Sequence, residues 1–317
     1  MNIFISSKIP NEIYDQIEEL GQLSYHDSNQ PLSSTSIARK AKDAEVLVVP
    51  LSDKIDKEVI DELPNLKIIA NYGAGFDNID IAYAKEKGII VTNAPAPSSA
   101  VSTAELTFAI MLASARRLIA AERDLKEGNF LKWRPTYFLG QELRGKTLGI
   151  IGMGNIGTNL AKRALAFEMK VIYHSRTRKQ EVEDLGVDYV EKEDLLREAD
   201  FISLHTAYAD NLHHMIGQKE FELMKESATF INAARGPLMD EAALVKALEE
   251  GKIAAAALDV YEFEPKVSEE LLDMDNVVLI PHLGNATKEA RMEMGQAVVD
   301  NLRDYKEGKE PRNQVNK

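Results

Sequence analysis

Short apolar runs recur along the chain with helix-length, charge-rich stretches between them. In the N-terminal third they are NIFIS, VLVVP (46–50), KIIANY (67–72) and IIVTN (89–93). A second series starts at TLGIIG (147–152) and continues through KVIYHS, DFISLH, ATFINA, AAALDV and VVLIPH. Runs this rich in β-branched and aromatic residues read as buried strands. Strands separated by helical connections imply parallel sheets with right-handed crossovers. Two series therefore predict two doubly wound parallel-sheet α/β domains, the second inserted in the first. The stretch SAVSTAELTFAIMLASARRLIAAERDLKEG (99–128) is apolar around much of its circumference and predicts one long buried helix between domains or subunits. A last helix over 287–308 returns the chain to the first domain. The expected partition is 1–98 with 285–317 as one discontinuous domain, and 99–284 as a second that includes the linking helix.

Composition narrows the class. The 317 residues are 44% apolar and 28% charged, as in an ordinary globular protein. No apolar run approaches the roughly 18 residues of a membrane span. The start, MNIFISSKIP, lacks the basic and apolar regions of a signal peptide. There is no cysteine, which excludes disulfides and thiolate metal sites and fits a reducing cytoplasm. No metal site is expected. With 38 basic against 51 acidic residues, the net charge of −13 disfavours nucleic acid or an anionic membrane as partner. An anionic ligand then needs a local basic seat.

The sharpest motif is GMGNIG, because it closes the strand TLGIIG and opens the helix NIGTNLAKRALAFE. Gly152 permits the tight turn, Gly154 lets the backbone approach a pyrophosphate, and Gly157 lets helix and strand pack closely. The amides of the helix start, at Asn155 and Ile156, then hold the phosphates. An NAD site has an acid about 20 residues on, at the end of the next strand. This chain has Ser175-Arg176-Thr177 there, with Arg178 and Lys179 behind. Loss of the carboxylate removes a repulsion, and Arg176 can pair with a 2′-phosphate. NADP(H) is expected to be preferred, with NAD(H) possible.

TFINAARGPLMD places Arg235 just past a buried strand, on a turn of small residues, with Asp240 as N-cap of the next helix. Glu264 in VYEFEP and His282 in VVLIPHLGNAT also fall at strand ends of the same sheet. Open α/β sheets bind ligands beyond the carboxyl ends of their strands, so these loops share one crevice. An arginine, an acid and a histidine beside a nicotinamide make a hydride-transfer site.

These segments, with NYGAGFDNID (71–80), TAEL, WRPTYFLGQELRGKTLGIIGMGNIG (133–157), ALDVYEFEP, PHLGNAT and PRNQVN, resemble the D-isomer-specific 2-hydroxyacid dehydrogenase family nearly end to end. The wording is nearest to glyoxylate/hydroxypyruvate and 2-ketogluconate reductases. The resemblance implies a catalytic triad of Arg235, Glu264 and His282. It implies a nicotinamide partner in Asp259 and further cofactor contacts from Thr103, His205, Ala207, Ala233, Ala234 and Gly284. The substrate carboxylate falls to Tyr72-Gly73-Ala74-Gly75, and Leu51 lines the pocket. Two positions depart from the family pattern: Ala207 stands where many members have proline, and Asn285 replaces a common serine.

The expected reaction reduces a 2-oxo acid to the D-2-hydroxy acid. Arg235 pairs with the carboxylate and polarises the ketone, and His282 donates the proton, its ring oriented and its charged form favoured by Glu264. Trp133, in a segment that resembles one extended to a partner subunit, implies a homodimer. Glyoxylate-like substrates fit, and 2-ketogluconate or phenylpyruvate reductases share the same wording. A different class, NAD(H)-sensing transcriptional corepressors, keeps the triad but carries flanking extensions not seen here. The absence of a further regulatory domain weighs against a phosphoglycerate dehydrogenase.

Overall fold

A computed structural model describes residues 1–317, which separate into two compact units: Met1–Ser99 with Asn285–Lys317, and Ala100–Gly284. The first unit has five parallel strands, β1 (Asn2–Ile5), β2 (Gln22–Tyr25), β3 (Val46–Pro50), β4 (Ile68–Tyr72) and β5 (Ile90–Thr92). They lie in the order β2-β1-β3-β4-β5, so the chain reverses direction across the sheet between β1 and β3. The central strands are apolar without alternation because helices cover both faces. On one side, Ile13 and Ile17 of helix Asn11–Glu18 meet Met294, Val298 and Leu302 of helix Lys288–Lys306. On the other, Ile37, Val59, Ile60 and Ala84 pack on Leu47, Val49, Ile69 and Val91.

The second unit has seven parallel strands: β6 (Thr147–Ile151), β7 (Lys170–His174), β8 (Asp188–Tyr189), β9 (Phe201–Leu204), β10 (Thr229–Asn232), β11 (Ala255–Leu258) and β12 (Val277–Leu279). The sheet order β12-β11-β10-β9-β6-β7-β8 is that of a Rossmann domain, with its switch point between β6 and β9. Strand β11 is three alanines and a leucine, interior except at its half-exposed first residue, and it pairs with β10, where Phe230 lies opposite Ala256.

Two expectations are corrected. The stretch 99–128 is not one helix: Pro97–Ala115 ends, Arg117 takes a left-handed φ of 52°, and Leu118–Lys126 starts again. The first of these helices is long and apolar enough, by length and composition only, to cross a membrane, although no uninterrupted apolar run in it reaches that length. Ala104, Phe108 and Met111 on it are buried in the core of the second unit. The edge strands β2 and β8 lie outside the pattern, since their residues alternate exposed with half-buried and make no apolar run.

Candidate active site

The dinucleotide turn follows from three glycines with three different surroundings. Gly152 has φ of 100°, and a Cβ there would sit 2.6 Å from the His205 carbonyl carbon, so neither conformation nor space admits a side chain. Gly157 packs so closely on the Gly152 carbonyl that a Cβ would collide with it. A Cβ on Gly154 would meet nothing within 4 Å. Gly154 is the N-cap of helix Asn155–Ala166 and gives it no side-chain cap. The open side of the turn thus presents uncapped first-turn amides, the arrangement that takes phosphate. The residues present fit a dinucleotide.

At the end of β7 the basic turn is already divided in its duties. Arg178 forms two bonds to Glu183, at 3.0 and 2.6 Å, and lies over the Tyr189 ring. The Ser175 hydroxyl donates to the Thr177 carbonyl at 2.7 Å. Arg176 is exposed and makes no ion pair in the chain, so it is the guanidinium left for a ligand. Thr103 is buried, whereas Ala207 is exposed, on the loop after β9. His205 is buried, with Nε2 2.8 Å from the Ser203 hydroxyl and Nδ1 lacking a partner. Burial pulls its pKa down to about 3, so the ring is neutral at ordinary pH.

The structure brings Arg235, Glu264 and His282 together at the carboxyl ends of β10, β11 and β12. Arg235 is held by its backbone. The Asn232 side chain donates to the Arg235 carbonyl at 2.9 Å and accepts from the Ala234 amide at 3.1 Å, while the guanidinium donates to the Ala234 carbonyl at 2.8 Å. Gly236 lies directly against the Tyr261 carbonyl, where no side chain fits. Ala233 and Ala234 are buried beside it. Asn232 was missed by the sequence reading; its only signal was an amide ending an otherwise apolar strand.

Glu264 Oε2 lies 2.9 Å from His282 Nδ1, and Oε1 accepts from the Tyr261 amide at 3.0 Å. Burial pushes this carboxyl up, but the His282 bond and charge, the Tyr261 amide and Arg235 outweigh it and hold it below its ordinary value. The carboxylate is ionised at neutral pH, so Nδ1 carries the hydrogen of the 2.9 Å bond. Nε2 is then the ring atom left for a reacting group.

Asp259, expected from the sequence to contact the nicotinamide, is a bracing group within the chain. It is 1% exposed, and its two oxygens accept from the Leu283 and Gly284 amides at 2.6 and 2.8 Å. Its carbonyl accepts from the His282 amide at 2.9 Å. Burial pushes this carboxyl up, against the pull of those amides and of His282. The clamp holds His282 at an unfavoured φ of 52°.

In the first unit, the turn Tyr72–Gly75 is organised by its carbonyls. Gly73 accepts from the Ala94 amide at 2.8 Å, Ala74 from the Asn93 side chain at 2.7 Å, and Gly75 from the Asn71 side chain at 2.5 Å. None of the three amides of Gly73, Ala74 and Gly75 donates within the chain, so all three are available to an anion. Leu51 packs on Gly73, leaving no room there for a Cβ.

A Rossmann turn feeding a strand-end arginine, carboxylate and histidine defines a nicotinamide-dependent dehydrogenase. Residues 108–284 match the model of the D-isomer-specific 2-hydroxyacid dehydrogenase NAD-binding domain. The chain is 47% identical over 320 residues to a glyoxylate reductase of Thermococcus litoralis, covering 99% of this chain and 96% of that one. Among solved structures, D-lactate dehydrogenase of Aquifex aeolicus, complexed with NAD and lactic acid, superposes with a TM-score of 0.86 at 32% identity, over 100% of this chain and 99% of its own. An NADPH-dependent glyoxylate/hydroxypyruvate reductase of Sinorhizobium meliloti, complexed with NADP and malonate, gives 0.85 at 30%, over 99% and 96%. The chain belongs to the D-isomer-specific 2-hydroxyacid dehydrogenase family, oxidoreductases that act on CH–OH donors.

Proposed function

We propose that the protein reduces a small 2-oxo acid of the glyoxylate or hydroxypyruvate kind to the D-2-hydroxy acid, preferring NADPH, as a cytoplasmic homodimer. The observation that carries the reading is the His282–Glu264 pair, with Nδ1 fixed on an ionised carboxylate and Nε2 left over. Arg235 takes the substrate carboxylate and polarises the ketone oxygen, a guanidinium being the group that pairs with both. Within the first unit, the amides of Gly73–Gly75 have no acceptor in the chain and are available to an anion. Bound nicotinamide supplies the hydride that the carbonyl carbon gains. His282 Nε2 gives its proton to the oxygen as negative charge develops there, and the Glu264 carboxylate stabilises the imidazolium before transfer.

Cofactor preference rests on Arg176, because related folds use either nucleotide. The homodimer reading rests on Leu131, Trp133 and Leu139, which are 84%, 77% and 65% exposed on one short segment of the second unit. Large apolar side chains concentrated in this way call for a partner surface, and a second copy is the proposed one. A panel of 2-oxo acids assayed by NADPH and NADH oxidation tests the reaction. Failure of every 2-oxo acid to support turnover would overturn it. A monomer by sedimentation at micromolar concentration would overturn the dimer.

A further inference from the structure

The first unit contains a cavity of about 290 Å³ that the reaction above does not use. It lies at the carboxyl ends of β1, β3 and β4, lined by Ser7, Lys8, Pro50, Tyr72 and Arg291 among others. Strands β1 and β3 are the pair between which the sheet order reverses, the position where open α/β sheets bind ligands. The volume greatly exceeds a water's share of about 30 Å³ and has room for a small organic anion.

Its charges are unbalanced. Lys8 is exposed and already paired with Asp27 at 3.3 Å. Arg291 is half-buried, and its guanidinium makes neither an ion pair nor a hydrogen bond within the chain. Glu12 lines the adjoining groove with Arg291 and forms no ion pair with it. In a chain with 51 acidic and 38 basic residues, an arginine withdrawn from water without a carboxylate is anomalous. Withdrawing a guanidinium from water has a cost that only a partner offsets, and burial lowers its pKa accordingly. The Arg291 carbonyl accepts from the Tyr72 hydroxyl at 2.6 Å, so the pocket wall is continuous with the residue that precedes the Gly73–Gly75 amides.

We infer that the Arg291 cavity is a second anion site, taking a small carboxylate or phosphate oxyanion, separate from the triad. Arg291 provides the planar fork that pairs with either group, and Ser7 adds polar lining. The site stands whatever the identity of the 2-oxo acid reduced.

The test titrates inorganic phosphate and, separately, malonate into the full-length chain, following heat of binding and thermal shift, with sodium chloride at matched ionic strength as control. Saturable binding to the wild type is expected for at least one of them, and which one responds assigns the group. Arg291→Gln should weaken that binding about tenfold or more, the worth of a charge-assisted contact. Ser7→Asp, which puts a negative charge in the cavity wall and keeps Arg291, should do the same and covers the case where Arg291→Gln fails to fold. Arg235→Ala should retain the binding. Binding no different from the chloride control, unchanged in both cavity variants, or lost with Arg235→Ala would overturn the inference.

Discussion

Glu264→Gln isolates what the carboxylate does for His282, because it keeps size and shape and removes the charge. In the native protein the carboxylate accepts from two donors, the His282 ring at 2.9 Å and the Tyr261 amide at 3.0 Å. A glutamine offers one oxygen and one amino group, so one of those two donors must face another donor. A hydrogen bond to a charged group contributes about 1.5–3 kcal/mol. The side chains are 38% and 37% exposed, so solvent screening brings the estimate toward the lower end. About 1.5–2 kcal/mol corresponds to a roughly ten- to thirtyfold fall in kcat for reduction, at about 1.4 kcal/mol per decade. The KM for cofactor should change little, since Glu264 is remote in sequence and role from the phosphate turn. The sign for stability is separate. Glu264 is held below its ordinary value of 4.5, so its contribution is present above that pH and lost as pH falls through the folded value; the variant lacks this acid-side loss. Steady-state kinetics with NADPH and glyoxylate reads kcat and KM, and denaturant melts across pH read the stability. A kcat within twofold of wild type would refute the assigned role.

Three further outcomes follow from local geometry. Gly154→Ala should leave thermal stability nearly unchanged, because its Cβ meets nothing in the chain, yet weaken dinucleotide binding at least about tenfold by blocking the amides; equal dinucleotide affinity by fluorescence titration would exclude the turn. His205 is neutral with a pKa near 3 when folded and 6.5 when unfolded, so the native state loses stability as pH falls through that window, at up to about 1.4 kcal/mol per unit. Denaturant melts of His205→Asn should show a flatter slope between pH 6.5 and 5, and an identical slope would contradict the buried neutral ring. Ser175→Asp with Arg176→Ala should shift the kcat/KM ratio from NADPH toward NADH by one to two decades, roughly the worth of a charge-assisted phosphate contact; an unchanged ratio would make Arg176 a solvated surface residue.

The fold was legible where burial on both faces forces an unbroken apolar run, as in VLVVP and TFIN, whose residues are nearly all interior. It was illegible at β2 and β8, where half-exposed edge residues leave no such run. The break at Arg117 was hidden for another reason. Helical periodicity continues on both sides of it, and nothing in Ala115-Arg116-Arg117-Leu118 marks a left-handed turn, a conformation usually given to glycine or asparagine. The triad could be read because each member sits at the end of a recognisable strand. Its supports could not. Asn232, the Tyr261 amide and the Asp259 carboxylate act through hydrogen bonds to backbone, and any strand-end polar residue looks the same in a sequence.

Those supports explain how loops can hold a reacting constellation. Arg235, Glu264 and His282 each lie outside regular structure, where a backbone is free to drift. Each is tied at a neighbouring peptide: Arg235 through Asn232, Glu264 through the Tyr261 amide, His282 through three contacts to Asp259 and its carbonyl. Gly236 then locks the Arg235 loop onto the Tyr261–Glu262 peptide, so two triad loops share one backbone contact. A strained residue such as His282, at φ of 52°, persists only when its surroundings over-determine it. The buried Asp259 is the group that does so here, and its cost of burial is offset by the amides it orders. The carboxylate read from the sequence as a cofactor ligand is therefore, within the chain, the mould of the His282 loop.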